Sequence, residues 1–228
     1  MYIFFDFFQK NYCIYLFNVL LYRQLATANS QDSIRLSIFY KRKLAVTNSN
    51  GVICLNNILS KLKTANLINV PFKNYDELIS SVSHWNARLG PKGVDLIVLK
   101  LCESTALIYV CRKCNLQRDL NSDGVLDFLK LYGYKSTDVD YCINRLSQRL
   151  SLSADFPHEV GVFLGYPLDD VIGFISNRGQ NSKCCGCWKV YCNEREALKT
   201  FSKFKKCTKI YCKLWSQGRS IIKLTVAA

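Results

Sequence analysis

The sequence predicts an α+β domain: four or five strands in one small mixed or antiparallel sheet, packed by about seven helices. Three observations lead there. Helical and strand-like patterns are interspersed without strict alternation, two strand-like runs are joined by only three residues, and no glycine-rich phosphate loop opens a βαβ unit. The 228 residues, 49% of them apolar, suffice for a sizeable core within one domain. With 21% charged and 13% aromatic residues, the composition is that of an ordered chain. No fixed glycine period and no 20–50-residue repeat occurs, which excludes collagen-like and solenoid architectures.

The patterns sharpen from about residue 51. Residues 52–62 make a short helical candidate, with Ile58 and Leu62 four apart. Residues 65–70 read as a strand ended by Pro71. Asn74 is placed to cap a helix over residues 75–89, with Asp76 and Glu77 in its first turn and Gly90 beyond its end. Its apolar positions Leu78, Val82, Trp85 and Leu89 share one face. Residues 94–101 and 105–112 are the two strand-like runs, and their short link predicts an antiparallel hairpin. Asp123-Gly124 precedes a helix closed by Gly133. Ser136 suits the cap of the next, which carries Val139, Cys142, Ile143, Leu146 and Leu150. Pro157 fits the first turn of a helix to residue 164, and Pro167 with Asp169 and Asp170 opens another. Residues 188–192 read as a short strand. Asn193 then caps a long helix with Glu194 and Glu196 in its first turn, where the dipole favours acids. Residues 220–226 are predicted to form a last strand.

The first fifty residues look different. Residues 27–50 mix Ser, Asn and Thr clusters with a Lys-Arg-Lys run and read as linker. Upstream, Asp6, Gln9, Lys10 and Asn11 interrupt an apolar stretch, and the nearly uncharged piece over residues 11–22 falls short of the ~20 residues that span a bilayer. No basic n-region or Ala-x-Ala site marks a signal peptide. Residues 1–50 are therefore expected to be a weakly structured or loosely packed extension to a domain at 51–228, with no transmembrane segment.

Charge is concentrated at one end. The formal net charge is +14; residues 178–228 hold twelve Lys/Arg against Glu194 and Glu196 alone, a net of +10, while residues 51–177 are neutral. Such a segment attracts phosphates, nucleic acids or acidic partners, although a merely solvated face would look the same. The twelve cysteines are too sparse for a disulfide scaffold, and several lie in apolar runs, which points to reduced core thiols in a cytoplasmic protein.

His158 and Glu159 are the candidate acid–base pair, at a helix start where simple capping competes with catalysis. Cys185 lies between Lys183 and Lys189, cations that would favour its thiolate. Cys184, Cys185, Cys187 and Cys207 are the residues available to a zinc or iron–sulfur site, but the two C-x-x-C pairs, Cys111/Cys114 and Cys184/Cys187, are separated by 69 residues, each alone is weak support, and no metal is favoured. Gly161, Gly165 and Gly173 suit close packing or a backbone-lined pocket. Aromatics interleave with cations from Trp188 to Arg219, a pattern compatible with base stacking, but most have core spacing and no nucleic-acid-binding signature accompanies them.

Several stretches resemble a known family. FPHEVGVFLGYPLDDVIGFI at 156–175, Cys185-Gly186 followed by Trp188-Lys189-Val190-Tyr191, GRSIIKLTVAA at 218–228, and the shorter KTANL at 63–67 and PKG at 91–93 are similar to the DUF3793 family of anaerobic Firmicutes. Cys187 stands where an aromatic residue is expected, and Cys192 where a small or polar one is. The resemblance covers about residues 52–228 and implies a single intracellular domain; it supplies no reaction and no cofactor. The leading expectation is a domain that binds an anionic small molecule or acidic partner between the His158 block and the basic C-terminal segment, with Tyr166, Trp188, Lys189 and Arg219 as contacts. The alternatives are a thiol- or metal-dependent enzyme or redox sensor at Cys185 and its neighbours, and a nucleic-acid binder.

Overall fold

A computed structural model describes residues 55–152 and 156–227, so the N-terminal extension expected over 1–50 lies outside the described residues. The elements run α1 (Asn56–Leu59), β1 (Ala65–Pro71), α2 (Tyr75–Leu89), a 3-10 turn (Gly90–Lys92), β2 (Asp95–Leu101), β3 (Thr105–Cys111), α3 (Lys113–Leu120), α4 (Val125–Lys130), α5 (Val139–Leu152), α6 (Val160–Phe163), α7 (Leu168–Ser176), β4 (Cys184–Cys185), β5 (Lys189–Val190), α8 (Glu194–Ser216) and α9 (Ile221–Leu224). The class is α+β. The five strands do not share one sheet: β1-β3-β2 form an antiparallel three-stranded sheet, and β4 and β5 a separate hairpin.

Period-two alternation explains how β3 organises the interior. Ala106, Ile108 and Val110 enter one core, with Trp85 and Leu89 of α2, Tyr211 of α8 and Leu224 of α9. Tyr109 and Cys111 face the opposite core, built by α3 to α7. A third, smaller cluster joins Trp188 and Val190 of the hairpin to Ala197 and Phe204 in the first half of α8. The 23 residues of α8 therefore serve two cores in succession.

Local signals set the element ends. Asn74 caps α2 by accepting from the Asp76 amide at 2.7 Å, and Asn193 caps α8 by accepting from Glu196 at 3.3 Å. At α5 the acceptor is Asp138, which takes the Tyr141 amide at 2.8 Å, while Ser136 takes the amide of Asp138 itself. The helix expected over 157–164 shortens to α6 behind a turn.

The expected C-terminal strand is a correction: residues 221–224 are helix α9. Ser220 caps it, and the Thr225 hydroxyl donates back to the Ile221 carbonyl at 2.8 Å. The β-branched residues that suggested a strand bury Ile221 in the first core. The carbonyls that end this helix meet cations. Lys92 Nζ donates to Ile222 and Thr225 at 2.6 and 2.8 Å. The wholly buried Arg112 donates to the carbonyls of Ile58, Leu59, Lys92 and Val226 at 2.7–3.0 Å.

Candidate functional site

Three of the family-like stretches, far apart in sequence, meet at one place. The first supplies Lys63, in the turn between α1 and β1, whose amide donates to the Asn57 carbonyl at 2.8 Å. The second supplies Tyr166. After α6 the chain closes in a Schellman turn: Gly165 takes the left-handed conformation at φ +73° and the Tyr166 amide donates to the Gly161 carbonyl at 3.0 Å. A Cβ on Gly165 would stand 2.8 Å from the Thr64 hydroxyl oxygen. Glycine is thus required twice here, for its φ and for the contact between the two stretches. Thr64 also donates a short hydrogen bond to Asp119 of α3. The third stretch supplies Cys187 and Trp188, at the tip of the β4–β5 hairpin.

Asp170 holds that hairpin in place. Its carboxylate is buried and accepts from the Trp188 indole N–H at 2.8 Å and from the Tyr191 and Cys192 amides at 2.7 and 3.0 Å. Two close approaches finish the docking. A Cβ on Gly173 would fall 2.5 Å from Tyr191, and one on Gly186 2.3 Å from the Phe201 ring of α8. Trp188 is consequently clasped between Tyr166, whose ring stacks at 5.2 Å, and Phe201, edge-on at 4.5 Å.

Lys63 lies over this aromatic pair, its Nζ 5.2 Å from the centre of the Tyr166 ring. Its hydrogen-bond acceptor among the described residues is the Asn66 side-chain oxygen at 3.2 Å, and no carboxylate pairs with it there. Burial lowers its pKa from 10.5 to about 8, with Cys187 pulling weakly the other way. Burial raises the Cys187 thiol, and the Lys63 charge offsets part of that rise. Tyr166 is likewise pushed well above the ordinary tyrosine range, by burial first and by Cys187 second. The chemical character is therefore a half-buried amine, poorly solvated, with unspent N–H donors beside an exposed hairpin tip.

The other residues singled out by sequence fall as follows. His158 packs on Phe174, ring centres 5.5 Å apart. Glu159 is fully buried and faces elsewhere: it forms a short ion pair with Arg149 and accepts from the Tyr134 hydroxyl at 3.4 Å. Arg149 in turn lies over the Tyr132 ring at 5.3 Å. Cys185 is exposed in β4, opposite Lys189. Lys189 donates to the Gly179 carbonyl at 2.6 Å, closing the loop after α7. Arg219 is exposed beyond the end of α8, and the helix from Phe201 to Ser216 alone spans about 22 Å at the helical rise. Tyr166 and Trp188 are thus brought together, and Arg219 sits apart from them. Among the four cysteines considered for a metal, Cys207 is buried against α1 and donates to Ser60 at 3.2 Å, whereas Cys184 packs on the third cluster. No group of three His, Cys, Asp or Glu that could hold a metal ion occurs among the described residues. The ten cysteines described are free thiols.

Lys63, Asn66 and Asp170 were not singled out as site residues by sequence. A lysine beside a strand reads as a solvated surface residue, and Asp170 as a helix-start acid; only their places in the family-like stretches pointed to them.

No curated protein and no solved structure matches the chain. No helix among the described residues is long and apolar enough to cross a membrane. The family described as "Protein of unknown function (DUF3793)" matches residues 52–225, and the chain belongs to that family.

Proposed function

We propose that the domain at residues 51–228 binds an anionic small molecule at Lys63, where the Tyr166 stretch meets the hairpin of the basic C-terminal segment. The observation that carries this reading is the state of Lys63: a desolvated amine with one amide acceptor and no carboxylate among the described residues. A phosphate or carboxylate would supply the missing charge and accept the unspent N–H donors, and binding it would raise the Lys63 pKa. Tyr166, Trp188 and Asp170 act as positioning residues that hold the tip of the hairpin beside the amine.

The test is isothermal calorimetry of the full chain with inorganic phosphate, sulfate and a set of mono- and dicarboxylates. At least one anion is expected to bind the parent protein, with affinity falling as pH rises through about 8. The same anion should lose at least tenfold in affinity on Lys63→Met and little on Arg219→Gln. Equal binding by the Lys63→Met protein, or no binding by any anion of the set, would overturn the reading.

A further inference from the structure

The long helix α8 carries a second cationic feature, independent of Lys63. Arg195, Lys199, Lys206, Lys209 and Lys213 are all exposed. They recur at spacings of four, seven, three and four, which places them within about 40° of one line on the helix surface. The line is about 27 Å long at the helical rise. Lys203 and Lys205 are exposed on its flanks. The sequence holds no acid after Glu196, and among the described residues the only ion pair of the line joins Lys199 to Glu196 at 2.6 Å. The opposite face of the helix is the one that packs: Ala197, Phe204, Cys207, Thr208 and Tyr211 are buried.

Helix stability accounts for only part of this line, through Lys213 in the last turn, where the dipole favours a cation, and the Lys199–Glu196 pair. Like charges three and four residues apart, as in Lys206, Lys209 and Lys213, repel one another and disfavour the helical state. Solubility requires net charge but not its alignment. Cations aligned along one side of a helix make an extended positive stripe, which matches an extended array of negative charge. A bilayer surface is a poorer match, since the exposed apolar residues Leu198 and Ile210 stand singly on opposite sides of the line and provide no face to insert.

We propose that the Arg195–Lys213 line of α8 is a sequence-independent contact surface for the phosphate backbone of duplex nucleic acid. Base stacking is not part of it: Trp188, Phe204 and Tyr211 are buried, and Tyr191, Phe201 and Trp215 are half-buried. Recognition is electrostatic, so it carries counterion release and little base preference.

The experiment measures fluorescence anisotropy of a 20-base-pair mixed-sequence DNA duplex against the full chain across a salt series. Four to five phosphate contacts predict a slope of about −4 in log affinity against log salt. The variant Lys206→Gln/Lys209→Gln/Lys213→Gln should flatten the slope by about 2.7 and weaken binding at least tenfold at low salt. A control of equal charge change, Lys73→Gln/Lys130→Gln/Lys135→Gln, alters exposed residues outside α8 and should keep most of the parent slope. Circular dichroism checks that both triple variants keep the fold, as is expected for exposed positions. The proposal fails if the duplex does not bind at low salt, or if both triple variants weaken binding equally. It also fails if poly-glutamate or phosphatidylserine vesicles bind as tightly as the duplex through the same three lysines.

Discussion

Arg112, wholly buried, and Lys63, half-buried, are both cations without a carboxylate among the described residues, and they lie at the same junction. The Arg112 amide donates to the Thr64 carbonyl at 2.9 Å, one residue beyond Lys63. Their surroundings differ in one respect. Arg112 spends its guanidinium on four carbonyls from α1, the 3-10 turn and the C-terminal segment. Burial lowers its pKa, yet from a starting value so high that it remains a cation. Lys63 has one amide acceptor and an aromatic ring, and its lower starting value brings it to about 8. A buried cation with four of its five N–H donors spent on carbonyls holds the fold together. One whose donors are unspent weakens the fold and is free to serve a ligand.

Replacement of Arg112 should break the comparison most severely. Arg112→Met leaves buried carbonyls without donors and is expected to cost about 4 kcal/mol or more, read as loss of the cooperative transition or a large fall in its denaturant midpoint. Arg112→Lys is expected to recover part of that loss, leaving about 2 kcal/mol, because three ammonium donors on a flexible stem cannot reproduce the planar fork. If Arg112→Met unfolds at the parent midpoint, the carbonyl cluster does not hold the fold together.

Lys63→Met should behave in the opposite sense. Folding lowers the Lys63 pKa from 10.5 to about 8, so between those values the unfolded chain holds more protons and stability rises with pH. Below about pH 8 the folded state bears the whole cost of the desolvated ammonium; above 10.5 it bears none. Lys63→Met is therefore expected to be at least as stable as the parent at pH 7 and to lose the rise between pH 8 and 10.5. A clear loss of stability at pH 7 would make Lys63 a second structural cation and erase the distinction. The smallest expected effect is a few-fold preference in labelling. At pH 7.5 a limiting amount of acetic anhydride should modify Lys63 ahead of ordinary surface lysines, because far more of it is neutral at that pH. Peptide mapping reads the preference, and a uniform pattern would argue against the lowered pKa.

Much of the fold was legible because its signals are local. Asn74 and Asn193 cap where their positions before acidic first turns predicted, and the three-residue link gave the β2–β3 hairpin its antiparallel sense. The last segment was misread because Ile221, Ile222, Thr225 and Val226 have strand propensity. Tertiary context decided otherwise, since Lys92 and Arg112 offer donors to a helix end rather than a sheet edge to a strand. The division of five strands into two sheets depends on Asp170, whose grip on the hairpin joins residues 18–22 apart and leaves no periodic trace. Tyr166 and Trp188 were reached through the family-like stretches. Lys63 lies in one of them too but was not singled out as a site residue, because desolvation belongs to the folded surroundings and not to the residue. His158 and Glu159, adjacent in sequence, enter different environments, an aromatic contact and a buried ion pair.

The central place of β3 also bears on the order in which the sheet assembles. Its pairing with β2 closes a turn of three residues, whereas its pairing with β1 joins Pro71 to Thr105 and Ala65 to Cys111 around the whole of α2 and β2. The entropy of closing the larger loop falls on the second event, so the hairpin is expected to form first and β1 to dock on it. Thr64 and Lys63 arrive only with β1. The proposed anion site would then be completed late in folding, and an anion bound there would stabilise the finished sheet without speeding formation of the hairpin.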